Sequence, residues 1–234
     1  MSWRRECYAA IPLTLRRDPS PILHYVTDRQ SLVRAPDENL ALVLAASIRR
    51  AIAAGIDFVQ IREKDLDARA LVACVADAVE AAHGKSTQIL VNDRLDVAIA
   101  ANAAGVHLGE GSIPLSAETR WRSEGQNRMT IGVSCHSVES CCAAEREGAD
   151  YISFGPVFET PSKKSYGAPK GLEELTRACS VVNIPVIAIG GISESNVRDC
   201  LSAGAAGIAA IRFFQESQNL ADVVARLRAL KLSA

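Results

Sequence analysis

Net charge is almost absent from this 234-residue chain, where 26 Lys and Arg face 27 Asp and Glu and leave a formal charge of -1. Without a basic field a polyanion has nothing to bind, so neither nucleic acid nor an anionic membrane is expected as a partner. The seven cysteines are odd in number and lack any CxxC spacing, which excludes a disulfide framework and a zinc site of the usual kind. Cys74, Cys141, Cys142, Cys179 and Cys200 fall in helix-like stretches and read as small core residues in a reducing compartment, so a cytoplasmic location is expected. No apolar run is long enough to span a bilayer. Near the start, Arg4, Arg5, Arg16 and Arg17 accompany no apolar h-region, because Pro12 and polar residues interrupt it; no signal peptide is expected.

What is present is a hydrophobic content of 48% and a regular alternation. Short β-branched apolar runs take turns with alanine-rich amphipathic stretches, the pattern of βα units whose strands are buried on both faces. The predicted strands are 22–26, 58–61, 89–91, 105–108, 130–133, 151–154, 185–189 and 207–211. The helices predicted to follow them are 39–54, 67–83, 94–103, 116–122, 137–147, 172–182, 195–203 and 220–230. Length alone fits one barrel or two small domains equally well. Eight repeats in about 215 residues without a second composition regime favour a single (β/α)8 TIM barrel over residues 22–234. Residues 1–21, with Pro12, Pro19 and Pro21, read as an N-terminal extension, in part disordered. Several joints carry glycine just before a strand, as in Ala54-Gly55-Ile56-Asp57 and Glu147-Gly148-Ala149-Asp150, and read as αβ turns closed by a left-handed residue.

In such a barrel the loops after the strands build the active site. Those positions hold Thr27-Asp28-Arg29, Gln60-Ile61-Arg62-Glu63-Lys64, Asn92-Asp93-Arg94, His107-Leu108-Gly109-Glu110, Ser134-Cys135-His136, residues 155–164, Gly190-Gly191 and Ile211-Arg212. Alternation sends Gln60, Arg62 and Lys64 to one side and Ile61 and Glu63 to the other. A guanidinium beside an ammonium suits a diphosphate, but the same pair also fits a solvated edge neutralised by Glu63 and Asp65. Asn92-Asp93 offers a hard oxygen ligand for Mg2+, or a cap for the helix that follows. Gly190-Gly191 lets backbone N–H groups approach a phosphate closely, and a tight turn alone does not need two adjacent glycines. His107 reads as structural. His136 follows Ser134 by two residues and is a candidate acid/base.

Taken in order, Tyr25-Val26-Thr27-Asp28, Gln60-Ile61-Arg62-Glu63-Lys64, Val91-Asn92-Asp93-Arg94, Gly105-Val106-His107-Leu108-Gly109, Gly132-Val133-Ser134, Phe154-Gly155-Pro156-Val157-Phe158 and Ile189-Gly190-Gly191-Ile192 resemble the thiamine phosphate synthase family. The resemblance runs from about Ile22 to Phe214, at matching strand ends. It implies a transferase of thiamine biosynthesis that joins a hydroxymethylpyrimidine diphosphate to a thiazole phosphate and releases diphosphate. It implies small-molecule substrates, Mg2+ as cofactor, and leaves a homo-oligomer open. Carried over by position, Gln60, Arg62, Lys64, Asn92 and Lys163 would hold the pyrimidine diphosphate, with Ile61 and Glu63 in the same run. Asp93 would bind Mg2+, and Ser134 would contact the pyrimidine amino group. Thr160, Pro161, Ser162, Gly191, Ile211 and Arg212 would hold the thiazole phosphate. Lys163, Arg62, Ser134 and His136 form the catalytic set.

One position departs from the pattern: Ser112 stands where the family places a second Mg2+ carboxylate, and Glu110 is the acid expected to replace it. This loop and the Ser134–Ser137 segment are closer to the sister family of thiazole tautomerases, in which His136 would carry the proton. A barrel that binds thiamine precursors without turnover is the third reading. Because Lys64, Asn92, Asp93 and Lys163 are all present, and a tautomerase does not need them, the synthase ranks first.

Overall fold

The structure, a computed structural model, describes residues 20–32, 38–109, 111–125, 128–160 and 168–230. Eight parallel strands close into a barrel in sequence order: β1 (Ile22–Val26), β2 (Phe58–Ile61), β3 (Gln88–Asn92), β4 (Gly105–Leu108), β5 (Thr130–Cys135), β6 (Tyr151–Phe154), β7 (Val186–Ile189) and β8 (Gly207–Ala210). The ring is sealed by β1 against β8, with Ile22 opposite Gly207 and Tyr25 opposite Ala210. Around it run α1 (Leu40–Ala53), α2 (Ala68–Ala81), α3 (Leu95–Ala100), α4 (Leu115–Glu124), α5 (Val138–Arg146), α6 (Gly171–Val181), α7 (Val197–Ser202), a short α8 (Arg212–Gln215) and α9 (Leu220–Arg228). This is the fold class expected from the alternation. Among the described residues no helix is long and apolar enough to cross a membrane.

The element ends shift for local reasons. Asn39, Asp67 and Ser137 do not begin their helices; they cap them, each side chain accepting a first-turn N–H, from Ala41, Ala70 and Ser140 respectively. The third helix stops at Ala100 instead of Ala103 because Asn102 turns left-handed, φ 55°, and Ala103 donates back to the Ala98 carbonyl. Strand β5 runs two residues further than expected, so Ser134 belongs to the sheet and is held by it. Strand β8 ends one residue early, at Ala210, because Ile211 already caps α8. That helix, and a single 3-10 turn at Arg29–Ser31, are too short to leave a periodic signal.

The αβ turns carry more than their glycines. Gly55 and Gly148 adopt φ of 81° and 90°, as a closing left-handed residue should. The aspartate two residues on closes the barrel floor: Asp57 Oδ2 accepts the Leu23 N–H at 2.7 Å, and Asp150 Oδ2 accepts that of Ile131 at 2.7 Å. Arg228 from α9 pairs with Asp57 at 2.7 Å and ties the last helix to the first turn.

Outward-facing strand residues pack on the helices, while the barrel interior is filled by Ile22, Phe58, Leu90, Tyr151, Ile187 and Ala209. Phe58 and Tyr151 stack at 5.6 Å, and His24 meets both rings edge-on. His24 is fully buried, and burial first, then the neighbouring His107, push its pKa from 6.5 down to about 3. The unfolded chain takes up a proton near pH 6.5 that the folded chain refuses, so this contribution is intact above that pH and is lost as pH falls toward 3. Between pH 7 and pH 5 the native protein is expected to lose about 2 kcal/mol that His24→Leu keeps. Urea unfolding at the two pH values checks this, and equal losses for both proteins would refute it.

Candidate active site

The C-terminal ends of β1 to β5 carry a connected polar lattice. Gln60, only 2% exposed, donates from Nε2 to Asn92 Oδ1 at 2.9 Å, and Asn92 Nδ2 donates to Asp93 Oδ2 at 2.6 Å. Asp93 takes the left-handed backbone conformation, φ 61°. Its Oδ1 accepts the Ser112 hydroxyl and the Gly109 N–H, the latter at 3.3 Å. Asp93 therefore bridges the β3 and β4 loops; it does not cap α3, whose N-cap is Arg94.

The charges after β2 divide cleanly. Glu63 is buried and accepts the Thr27 hydroxyl at 2.6 Å and the Arg29 N–H at 3.1 Å. The Arg29 guanidinium pairs with Glu63 and also with Asp65, which is 2.9 Å from Nη2. Arg29 thus satisfies both acids that were expected to neutralise Arg62 and Lys64 in the solvated-edge alternative. Arg62, half-buried, and Lys64, exposed, have no carboxylate partner among the described residues. Ile61 packs into the apolar layer beneath the helices, so the side chains of Ile61 and Glu63 are both committed to the fold.

On the other side of the mouth, Tyr151 Oη lies 2.8 Å from His107 Nδ1, and His107 Nε2 lies 2.9 Å from Ser134 Oγ. Burial raises the Tyr151 pKa well above 10, which keeps its proton available for this chain. His107 joins the two side chains, and through it the barrel core holds Ser134. His136 is half-buried, and its Nδ1 donates to the Gly155 carbonyl, which makes Nε2 the acceptor nitrogen of the neutral ring.

At the far rim, Gly190 and Gly191 adopt φ of 98° and 66°. A Cβ on Gly191 would sit 2.5 Å from the Glu159 carbonyl oxygen, and one on Gly190 would sit 2.5 Å from Pro156 Cβ. The paired glycines are needed because the loop after β6 lies directly on them, with Phe158 N–H bonded to the Gly190 carbonyl at 3.0 Å. That packing is a reason the isolated motif did not reveal. Thr160 is half-buried beside this loop, and Ile211-Arg212 stand where β8 passes into α8. Glu110, Pro161, Ser162 and Lys163 lie outside the described residues.

Two residues that the sequence reading passed over belong to this region. Gln215, 6% exposed, joins the first loop to the last by accepting from Tyr25 Oη and the Asp28 N–H at 3.0 Å each. Glu118 in α4 is fully buried, and neither carboxyl oxygen has a hydrogen-bond partner among the described residues. Burial first, and then the charge of Asp93, push its pKa up to about 7. A glutamate on an amphipathic helix reads as a solvated face, which is why pattern alone misses it.

Barrel and mouth together define a (β/α)8-barrel enzyme whose polar groups converge at the C-terminal ends of its strands. The sequence profile of the thiamine monophosphate synthase family matches residues 23–214. The thiamine-phosphate synthase of Methanocella arvoryzae is 43% identical over 183 residues, covering 78% of this chain and 84% of that one. That of Roseiflexus castenholzii is 38% identical over 190 residues, with 81% and 79% covered. The solved thiamine phosphate pyrophosphorylase of Pyrococcus furiosus superposes with a TM-score of 0.75 at 31% identity, covering 90% of this chain and 96% of that one. The chain belongs to the thiamine monophosphate synthase family.

Proposed function

We propose that this barrel is a transferase of thiamine biosynthesis, coupling 4-amino-5-hydroxymethyl-2-methylpyrimidine diphosphate with a thiazole phosphate to give thiamine phosphate and diphosphate. The bond from the pyrimidine methylene carbon to oxygen breaks first, and its electron pair leaves with the diphosphate. The thiazole nitrogen then gives its lone pair to the methylene cation. The chain's part is electrostatic: to stabilise a departing anion and to hold a flat cation in line with its captor. The observation that carries this reading is the division of charge after β2, where Arg29 satisfies Glu63 and Asp65 and leaves Arg62 and Lys64 for an outside anion.

In this proposal Arg62, Lys64 and Lys163 neutralise the diphosphate, and Gln60 and Asn92 orient it. Ser134, held by His107 and Tyr151, meets the pyrimidine. Thr160, Ser162, Gly191, Ile211 and Arg212 receive the thiazole phosphate. Asp93 is suited to Mg2+, which takes one or two carboxylates and leaves its other positions to water and phosphate oxygens. The donor chemistry fits such an ion, because Asp93 presents a hard carboxylate at the strand end, held there by the Ser112 hydroxyl, the Gly109 N–H and the Asn92 amide. A bound Mg2+ supplies positive charge to the leaving diphosphate. The substrates are small molecules, and a cytoplasmic location belongs to the same proposal.

The tether from His136 to Gly155 orients an imidazole at the mouth, which favours thiazole tautomerase as the second reading. His136→Asn separates the two, since a carboxamide cannot shuttle a proton near neutral pH. Coupling at a reduced rate is expected from the variant. Complete loss of coupling with substrate binding intact would contradict an auxiliary part for His136 in the synthase, and isomerisation that vanishes with the imidazole would favour the tautomerase.

A further inference from the structure

Helix α8 follows directly on the end of β8, where Ile211-Arg212 is assigned above to the thiazole phosphate, and its four residues cannot hold a helix in place by their own hydrogen bonds. Its backbone turns on Ile211, whose carbonyl accepts the N–H groups of Phe214 at 3.3 Å and Gln215 at 3.0 Å. The groups that fix its direction lie outside it. Phe214 is buried and meets the Tyr25 ring edge-on at 6.3 Å. The buried Gln215 carboxamide uses all its donors and acceptors: Oε1 accepts from Tyr25 Oη and the Asp28 N–H at 3.0 Å each, and Nε2 donates to the Asp28 carbonyl at 3.3 Å and to Ser31 Oγ at 3.0 Å. Arg50 of α1 gathers the carbonyls with which α8 ends, donating to Gln215 at 2.7 Å, Ser217 at 3.1 Å and Phe214 at 3.4 Å. On that side the described residues leave a cleft of about 500 Å³ lined by Val43, Ser47, Arg50 and Gln215, so apolar packing does not back the helix there.

The first loop does not depend on this contact in return. Glu63 accepts the Thr27 hydroxyl and the Arg29 N–H, and the Thr27 hydroxyl accepts the Arg62 N–H at 3.0 Å, so the loop is tied to the end of β2 whether or not Gln215 is present. Loss of the carboxamide therefore frees α8 and leaves the β2 end in place. An apolar side chain would fill the same space without needing four partners, so packing gives no reason for a glutamine here. We propose that Gln215, backed by Arg50, is a positioning residue for the thiazole substrate: it carries the rigidity of the first loop into α8 and so aims the Ile211-Arg212 backbone at the phosphate. The proposal rests on the reading of that strand end as the thiazole phosphate site.

The test is steady-state coupling by wild type, Gln215→Leu and Arg50→Met, with kcat and a KM for each substrate, beside thermal melts that establish folding. Wild type is also given the thiazole alcohol, which lacks the phosphate. For Gln215→Leu the KM of the thiazole phosphate is expected to rise about tenfold, while kcat and the KM of the pyrimidine diphosphate change by less than about twofold. Arg50→Met should give the same selective rise at about threefold, because the Gln215 carboxamide is still bonded to the first loop. A general loosening of the fold would instead move both KM values. An unchanged KM for the thiazole phosphate in Gln215→Leu, or an equal rise in both KM values, would overturn the proposal, and the phosphate reading would stand if wild type prefers the phosphate to the alcohol. Wild type that couples the alcohol as well as the phosphate, or couples neither, would overturn both. Should Gln215→Leu fail to fold, Arg50→Met decides alone: an unchanged KM for the thiazole phosphate there would overturn the proposal.

Discussion

Arg62→Ala is expected to slow coupling by roughly 30- to 1000-fold while leaving the fold intact. The estimate follows from loss of a charge-assisted contact that matters most as the diphosphate departs, on the order of 2 to 4 kcal/mol. The fold should survive because the Arg62 side chain makes no ion pair with the described residues; only its backbone N–H is engaged, by the Thr27 hydroxyl at 3.0 Å. Arg62→Lys should recover only part of the loss, since an ammonium cannot present two parallel donors to a phosphate. Single-turnover rates with saturating Mg2+, beside thermal melts, decide the matter. A wild-type rate in Arg62→Ala would show that the diphosphate does not lie against this strand end.

The second large effect is on stability and originates in the barrel interior. Gly132→Ala is expected to lower stability by about 2 to 3 kcal/mol, or roughly 5 to 10 °C in Tm for a chain of this size. An added Cβ at residue 132 would sit 2.0 Å from Tyr151 Cζ, well inside van der Waals contact. Tyr151 cannot retreat cheaply, because it stacks on Phe58 and is hydrogen-bonded to His107. Displacing it also releases His107 from Ser134, so the KM for the pyrimidine substrate should rise together with the fall in Tm. Tyr151→Phe separates the two effects: it keeps the ring and removes only the hydroxyl, so pyrimidine binding should weaken with a much smaller change in Tm. A Gly132→Ala protein as stable as wild type would contradict the interior packing described here.

These two residues illustrate what the sequence made legible. Alternation of short apolar runs with amphipathic stretches specifies a parallel sheet covered by helices, and eight such units close a barrel, so the architecture could be read directly. Gln60, Asn92, Asp93 and Ser134 were legible as candidates because polar residues directly after buried strands have no place in the core. The partners of those residues were not legible. That Arg29, rather than Arg62, answers Glu63 depends on where the first loop folds, across 34 residues of intervening chain. Gln215 joins the first and last loops across 187 residues, and no local pattern announces it. For the Gly190-Gly191 pair, a second reason for two glycines is the loop after β6 that lies on them, a contact which only the closed barrel makes and no local pattern announces. Glu118 was hidden for the opposite reason: its helix position looked ordinary, and its burial is a tertiary fact.

Formation of thiamine phosphate at the mouth of this barrel is the activity on which every residue role above depends. Its most direct measurement is to incubate the purified protein and Mg2+ with the pyrimidine diphosphate and each thiazole phosphate in turn, then oxidise the product to fluorescent thiochrome. Thiochrome formation that requires both substrates, with diphosphate released in equal amount, is the predicted result. No thiochrome from any pair, with the thiazole carboxylate phosphate isomerised instead, would contradict it.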